Sequence, residues 1–308
     1  MKLLLVFLDG FGVGKKDPAA NPIFLARMPA FSFLCGGEPL HAGKSCAEGQ
    51  ESLAISVDAC LGVAGIPQSA TGQTALLTGY NAPQIVGRHV NAFPTGMLRK
   101  LLASRSIFRR ALECGRTATF INAFRPNSLQ KIKDGTYRAS ATTAAVLGAG
   151  LPVRPADLIA LGQAVYHDIT GDILREMGVD VPRLNPRDAG RIVAKLSKDY
   201  DFAMFEFFLT DRAGHSQDLG FAVEVLERAD QFIEAILESI DTKSQCLFLA
   251  SDHGNIEDLS VPTHTRNPVP LVVYGLDAER RLLLTCDVRD ITDVNAAMLK
   301  VVCEGVGD

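Results

Sequence analysis

Three apolar runs in this chain stop at an aspartate, and that punctuation constrains the fold more than any other feature. Lys2–Leu8 runs directly into Asp9, Ala203–Leu209 is followed by Thr210 and Asp211, and Cys246–Ser251 is followed by Asp252. A fourth run, Val269–Tyr274, has similar length and composition. Short continuous apolar segments of this kind are the pattern of strands buried on both faces. Helical patterns lie between them. The clearest spans about Leu219 to Ile240, where Phe221, Val225, Ala229, Ile233 and Ile236 fall on one face among acidic and basic residues. Strands alternating with helices predict an α/β fold, a mostly parallel sheet covered by helices on both faces.

The chain has 308 residues, enough for one large domain or two moderate ones. Residues 81–186 read differently from the rest, with a Pro- and Gly-bearing stretch at Asn81–Thr95, a helical pattern over Met97–Glu113 and a short strand at Thr117–Asn122. An Ala/Thr-rich tract follows at Ala139–Gly150, and Pro152, Pro155, Pro182 and Pro186 punctuate the return to the main pattern. The expectation is a smaller inserted α+β cap over 81–186, with residues 1–80 and 187–308 forming the core.

Lys plus Arg total 31 against 35 Asp plus Glu, a net charge of −4 without long runs of one sign, which argues against a nucleic-acid partner or an anionic membrane surface. No apolar stretch reaches the roughly 18 residues of a membrane helix. The leading apolar run is too short for a targeting signal, and Asp9-Gly10 interrupts it. The 7 cysteines are scattered singly with no CxxC, which predicts free thiols and a reducing, cytoplasmic setting.

Two glycine patterns imitate nucleotide-binding loops. Gly10-Phe-Gly12-Val-Gly14 lacks the third glycine of the dinucleotide fingerprint, since Lys15 stands there and Pro18 and Pro22 oppose a helix. Gly37 to Gly43-Lys44-Ser45 has one residue too many between its glycines for a phosphate loop.

The chemistry gathers elsewhere. In a parallel sheet the carboxyl ends of strands share one edge, so Asp9, Asp211 and Asp252 converge there. Any one of them serves equally well as a turn or helix cap. Three unpaired carboxylates at one edge repel, and a divalent cation supplies the missing charge. Only 6 histidines exist (41, 89, 167, 215, 253, 264), and three accompany this edge: His215 four residues after Asp211, His253 beside Asp252, and His264 shortly before the last strand. Mixed imidazole and carboxylate ligands suit zinc, manganese or similar ions. Ser69, in Ser69-Ala-Thr-Gly72-Gln-Thr-Ala-Leu-Leu-Thr-Gly79, stands where a tight turn enters a helix. A hydroxyl there is either a nucleophile activated by cations and helix amides or, like Thr71, a simple helix cap.

Taken together, Leu8-Asp9-Gly10-Phe-Gly12, the Ser69 turn, Asp211-x-x-Gly214-His215, Asp252-His253-Gly254-Asn255 and His264-Thr265-x-Asn267-Pro268-Val269-Pro270 resemble the alkaline phosphatase superfamily. The likeness is to the branch of cofactor-independent phosphoglycerate mutase and phosphopentomutase. The resemblance implies two divalent metals, one held by Asp9, Ser69, Asp252 and His253, the other by Asp211, His215 and His264. It also implies Ser69 as the nucleophile rather than Thr71 or Thr74, because the family's nucleophile stands three residues before a glycine like Gly72 and ten before one like Gly79. Sulfatases carry a Cys-x-Pro-x-Arg pattern at that position, which this chain lacks. The insertion after Ser69 is about half as long as in phosphoglycerate mutases, so substrate identity does not carry over.

The implied activity is metal-dependent phosphoryl transfer on a small phosphate ester through a phosphoserine, as a phosphatase or phosphomutase. A phosphodiesterase or nucleotide pyrophosphatase-like hydrolase and an inactive metal-binding protein are the alternatives. Arg88, His89, Asn122 and His167 are the candidate substrate-binding residues of the inserted segment.

Overall fold

The apolar runs that end in aspartate lie side by side at the centre of one sheet. In the computed structural model, which describes residues 1–305, the strands are β1 (Lys2–Leu8), β2 (Cys46–Glu48), β3 (Ser52–Val57), β4 (Ala118–Phe120), β5 (Ala123–Phe124), β6 (Arg154–Pro155), β7 (Phe202–Phe207), β8 (Gln245–Ala250) and β9 (Val269–Tyr274). Seven of them form the main sheet in the order β2-β3-β9-β8-β1-β7-β4, and β5 pairs with β6 apart from it. β1 runs parallel to both neighbours, with Leu5 beside Met204 on one side and Phe248 on the other. β4 is also parallel to β7, whereas β9 runs antiparallel to β8.

β3 is in turn antiparallel to β9 and β2 to β3, and it is the reversal of β9 that matters for the site. The carboxyl ends of β1, β7 and β8 share one edge, as the sequence predicts. Because β9 is reversed, its amino end lies at the same edge, and the loop carrying His264 arrives there too.

Alternation along β1 divides the core in two. Leu3, Leu5 and Phe7 pack on the side of the helices Ser69–Thr78, Gly96–Arg105, Ala141–Gly148 and Ile291–Leu299. Leu4, Val6 and Leu8 face the helices Pro186–Ser197 and Leu219–Ser239, where Phe205 and Phe232 rings sit 4.9 Å apart. The long amphipathic helix predicted from about Leu219 is therefore present and covers the sheet as its apolar stripe requires.

The inserted segment departs from expectation. Residues 81–186 do not stand apart as one cap: β4 is a strand of the main sheet, and Leu98, Leu102, Phe108, Ala141 and Val146 pack into the same core as β1. A small separate core, including Ala123, Ile159, Tyr166, Leu174 and Val181, is what remains of the predicted unit. The helix expected over Met97–Glu113 breaks at Ser106, which closes one helix and opens the next, its hydroxyl accepting from the Arg109 amide. Serine competes for backbone amides in this way, and an apolar pattern that continues on both sides hides the break.

The expectation of seven free thiols is also corrected. A disulfide joins Cys114, at the end of helix Ile107–Glu113, to Cys303, with Cα atoms 5.7 Å apart across 189 residues of sequence. No spacing rule marks so remote a pair. Cys35, Cys46, Cys60, Cys246 and Cys286 are free. Among the described residues no helix is long and apolar enough to cross a membrane.

Two measurements check this description. Thiol titration of the denatured, unreduced protein is expected to count five free thiols, and seven would remove the bridge. Leu5, fully buried in the central strand, is expected to cost about 2–5 kcal/mol on replacement by Ala in denaturant unfolding, because the lost side chain leaves a cavity that a close-packed sheet cannot fill.

Candidate metal centre

Asp9 follows β1 directly, and Asp252 lies two residues beyond β8. Asp211 sits in the first turn of helix Leu209–Ser216, so that His215, one helical turn on, shares its face, with Nε2 3.6 Å from Asp211 Oδ2. His264 closes the group from the loop before β9, pinned where the Thr265 amide donates to the Gly254 carbonyl at 3.0 Å. Asp9, Asp252, His253 and His264 are all buried.

Two sets of ligand atoms lie within 4.8 Å of one another, Asp9 with Asp252 and His253, and Asp211 with His253 and His264. His253 stands between the sets, its ring stacked on His264 at 3.8 Å. Each of the three imidazoles turns Nδ1 to a backbone carbonyl: His215 to Pro262 at 3.1 Å, His264 to Pro67 at 2.9 Å and His253 to Gly254 at 3.4 Å. A carbonyl there fixes the Nδ1–H tautomer and leaves Nε2 as a lone-pair donor aimed at the centre, the arrangement by which proteins orient metal-binding histidines. The Nε2 atoms of His215 and His264 face each other at 3.0 Å. Two lone pairs at that distance require a cation or proton between them.

The carboxylates give the same answer. Burial, then the charge of Asp252, raises the Asp9 carboxyl well above its ordinary value. Burial, then Asp211, pushes Asp252 up to about 7. Asp211 carries a burial penalty as well, yet hydrogen bonding from His264 and the neighbouring His253 hold it at about 2. His253 is driven down to about 3, first by burial and then by His264. Asp9 Oδ1 and Asp252 Oδ2 are buried with no hydrogen-bond partner. Orphaned carboxylate oxygens beside a neutral His253 fit divalent cations, which replace the protons these acids otherwise hold.

A buried glutamate that the sequence reading missed ties the loops together. Glu257 Oε2 accepts from the Gly12 amide at 3.0 Å and the Asn255 amide at 2.7 Å, while Oε1 accepts from the Thr265 hydroxyl and from Asn267 Nδ2. It explains the glycines that imitate a nucleotide loop: a Cβ at Gly12 would lie 2.2 Å from the Glu257 carboxyl carbon, and one at Gly14 2.7 Å from its backbone oxygen. The signal was its place five residues after Asp252, in the same loop.

Ser69 begins the helix Ser69–Thr78, and its Oγ is 3.0 Å from His253 Nε2. Neither Thr71 nor Thr74 competes, since each hydroxyl is spent on a backbone carbonyl, of Gln68 at 3.1 Å and Ala70 at 2.6 Å. A Cβ at Gly72 would stand 2.6 Å from the Asp252 carbonyl oxygen, so glycine is what lets this helix reach the metal edge.

The sequence model of the Metalloenzyme superfamily matches residues 177–302, the stretch carrying Asp211, His215, Asp252, His253 and His264. A 2,3-bisphosphoglycerate-independent phosphoglycerate mutase of Pyrococcus abyssi is 39% identical over 118 residues, 38% of this chain and 28% of that protein. The aligned stretch thus spans under a third of that relative's length. A solved protein of Pyrococcus horikoshii superposes with a TM-score of 0.59 at 17% identity, covering 100% of this chain and 97% of its own. Alkaline phosphatase from the Antarctic bacterium TAB5 superposes with a TM-score of 0.52 at 11% identity, covering 100% of this chain and 99% of its own. The fold is alkaline phosphatase-like.

Against the metal edge of this alkaline phosphatase-like sheet lies a cavity of about 380 Å³ whose lining includes Asp9, Ser69 and Asp211. Asn122 and His167 line it, but Arg88 and His89 do not. Gly87, at φ 76°, ends the helix Ala82–Val86 and sends Arg88 to the surface, while His89 Nε2 lies 3.3 Å from the Val63 carbonyl. The structure thus does not bring those two residues to the cavity. Asn122 is largely consumed by structure: its amide donates to the Glu206 carbonyl at 2.7 Å and accepts from the Glu206 amide at 2.8 Å, extending the pairing beyond β4. His167 is held near 3 by burial and then by Arg125, and its buried Nδ1 has no partner. Arg125, Arg138 and Glu206 also line the cavity, and no motif announced them.

The electrostatics predict a pH-dependent metal affinity. Asp9, Asp252 and His264 all have raised values in the metal-free protein and must lose their protons to bind a cation, whereas His253 is already neutral. Affinity is therefore expected to weaken as pH falls from about 8 to 5, by up to about tenfold per pH unit for each proton displaced. Calorimetry in buffers of different ionisation enthalpy should record net proton release at pH 6; proton uptake would contradict the assignment.

Proposed function

We propose that this chain is a metal-dependent phosphoryl-transfer enzyme, a phosphatase or phosphomutase, acting on a small phosphate ester through a phosphorylated Ser69. The observation that carries the reading is the Ser69 hydroxyl at a helix start, 3.0 Å from Nε2 of His253, the residue common to both ligand sets, and in the lining of the cavity. Asp9, Ser69, Asp252 and His253 would hold one cation and Asp211, His215 and His264 the other, with manganese or zinc suited to such donors. Bound there, divalent ions supply positive charge that lowers the serine hydroxyl's pKa and neutralises phosphoryl oxygens.

The chain's own residues do the rest. Ser69 Oγ attacks phosphorus in line, the bond from phosphorus to the substrate oxygen breaks, and the phosphoryl group rests on serine beside the amides of the helix start. Return of that group to water makes the enzyme a phosphatase; return to a substrate hydroxyl makes it a mutase. Glu257 ties the loops that carry Asp9 and Asp252 together, so that little reorganisation accompanies the charge movement. The cavity volume suits a small ester rather than a polymer, and the similarity to phosphoglycerate mutases supports the reaction class without fixing the substrate.

Replacing Ser69 by Ala is expected to lower turnover of phosphate esters by about 10³-fold or more, the usual consequence of losing a covalent nucleophile. Acid quenching of the wild-type enzyme with labelled substrate should trap label on Ser69. Full turnover by Ser69→Ala would remove the nucleophile assignment, and elemental analysis giving fewer than two metals per chain would remove the paired-metal reading.

A further inference from the structure

Glu206 stands out in the wall of the cavity. Alternate residues of β7 point to one face of the sheet, and Phe202 and Met204 on that face pack into the core with β1. Glu206 is the next residue on the same face, and there the core gives way to the cavity. Its position is fixed at both ends: the Asn122 amide bridges its backbone N–H and C=O, and the Thr142 hydroxyl donates to Oε2 at 2.5 Å. Among the described residues, no arginine, lysine or histidine forms an ion pair with it. Burial pushes the carboxyl up to about 7, and the Thr142 bond only partly offsets this. It lies close enough to the metal edge to raise Asp9.

An enclosed carboxyl without a cation is costly to the fold, and an amide or apolar side chain would avoid that cost. A ligand is the natural recipient of its unused acceptor capacity. Another carboxylate placed there would be repelled. Arg125 and Arg138 line the same cavity and disfavour an ammonium group. A neutral hydroxyl remains, and it donates a hydrogen bond without adding charge.

We propose that Glu206 is a specificity-determining residue that accepts a hydrogen bond from a hydroxyl on the organic part of the substrate, selecting phosphate esters of polyols or sugars over esters that place a carboxylate there. This inference rests on the phosphoryl-transfer reading above. It separates the chain from the phosphoglycerate mutases that it resembles in sequence, because the preferred ester would carry a hydroxyl where phosphoglycerate carries an acid.

The test uses the metal-loaded enzyme and two esters with one skeleton, glycerol 3-phosphate and 3-phosphoglycerate, which differ in a hydroxymethyl or carboxylate group. p-Nitrophenyl phosphate, which has neither, serves as a third probe, and both phosphate release and positional transfer are followed. The wild type is expected to favour glycerol 3-phosphate in kcat/KM. Glu206→Leu should shift the ratio toward 3-phosphoglycerate by about 10- to 100-fold, mainly through KM, as expected when a hydrogen bond to a charged acceptor is lost and a repulsion removed. Glu206→Gln, which retains an acceptor oxygen, should shift it less and covers the case in which the leucine variant does not fold. A wild type that prefers 3-phosphoglycerate overturns the proposal, as does a ratio unchanged within about twofold in the folded variants. If the wild type turns over none of the three esters, the phosphoryl-transfer reading itself fails and takes this inference with it.

Discussion

Like charges held close together out of water govern this structure. Asp9, Asp211 and Asp252 are delivered to one edge by three parallel strands whose interiors are apolar except for Glu206 in β7, so the backbone cannot relieve their repulsion by moving apart. Burial makes the conflict worse, since a carboxylate in low dielectric resists ionisation even when alone. Without cations the structure settles it unevenly. Asp211 stays ionised because two histidines and Asn255 serve it, and Asp9 and Asp252 are pushed toward the protonated form. That unevenness marks a site whose complement is missing charge rather than missing hydrogen bonds.

The surrounding architecture holds the conflict in place. Glu257 makes four hydrogen bonds, one to the Gly12 amide in the loop after β1 and three to Asn255, Thr265 and Asn267 within its own loop between β8 and β9. Such a contact acts through geometry, by preventing the loops that carry Asp9, His253 and His264 from spreading under repulsion. Reversal of β9 contributes equally, because a parallel strand would deliver its preceding loop to the opposite edge and leave Asp211 without His264.

Much of this was legible in the sequence, and the reasons are physical. Strands buried on both faces must be continuously apolar, so β1 and β9 were bounded correctly and β7 and β8 fell within a residue or two. Polar residues ending such runs have few structural uses, which made the aspartates conspicuous, and their neighbouring histidines followed from local spacing. What failed depends on contacts far apart in the chain. Arg88 and His89 were plausible by composition, but a glycine turn carries them away from the cavity. Glu206 looked like one polar residue in an apolar strand, and only the end of the core above it gives it a role. Cys114 and Cys303 meet across 189 residues, with no local pattern to pair them.

The misplaced domain boundary has a consequence for how the cavity works. The helix Ser69–Thr78 is buried on every side, packed between Ile291–Leu299 and the helices Gly96–Arg105 and Ala141–Gly148. A helix with no solvent face cannot be amphipathic, and apart from Gln73, whose amide donates to Asp9 Oδ2 at 3.4 Å, this one is apolar or small, so its neighbours must supply its whole environment. Two of them come from the segment that sequence assigned to a separate cap. That segment is consequently part of the scaffold that packs around the helix carrying Ser69, and a rigid-body hinge at 81 and 186 would carry that packing away. The small core of Ala123, Tyr166 and Val181, by contrast, bears Arg125 and His167 into the cavity without taking part in the packing around the Ser69 helix.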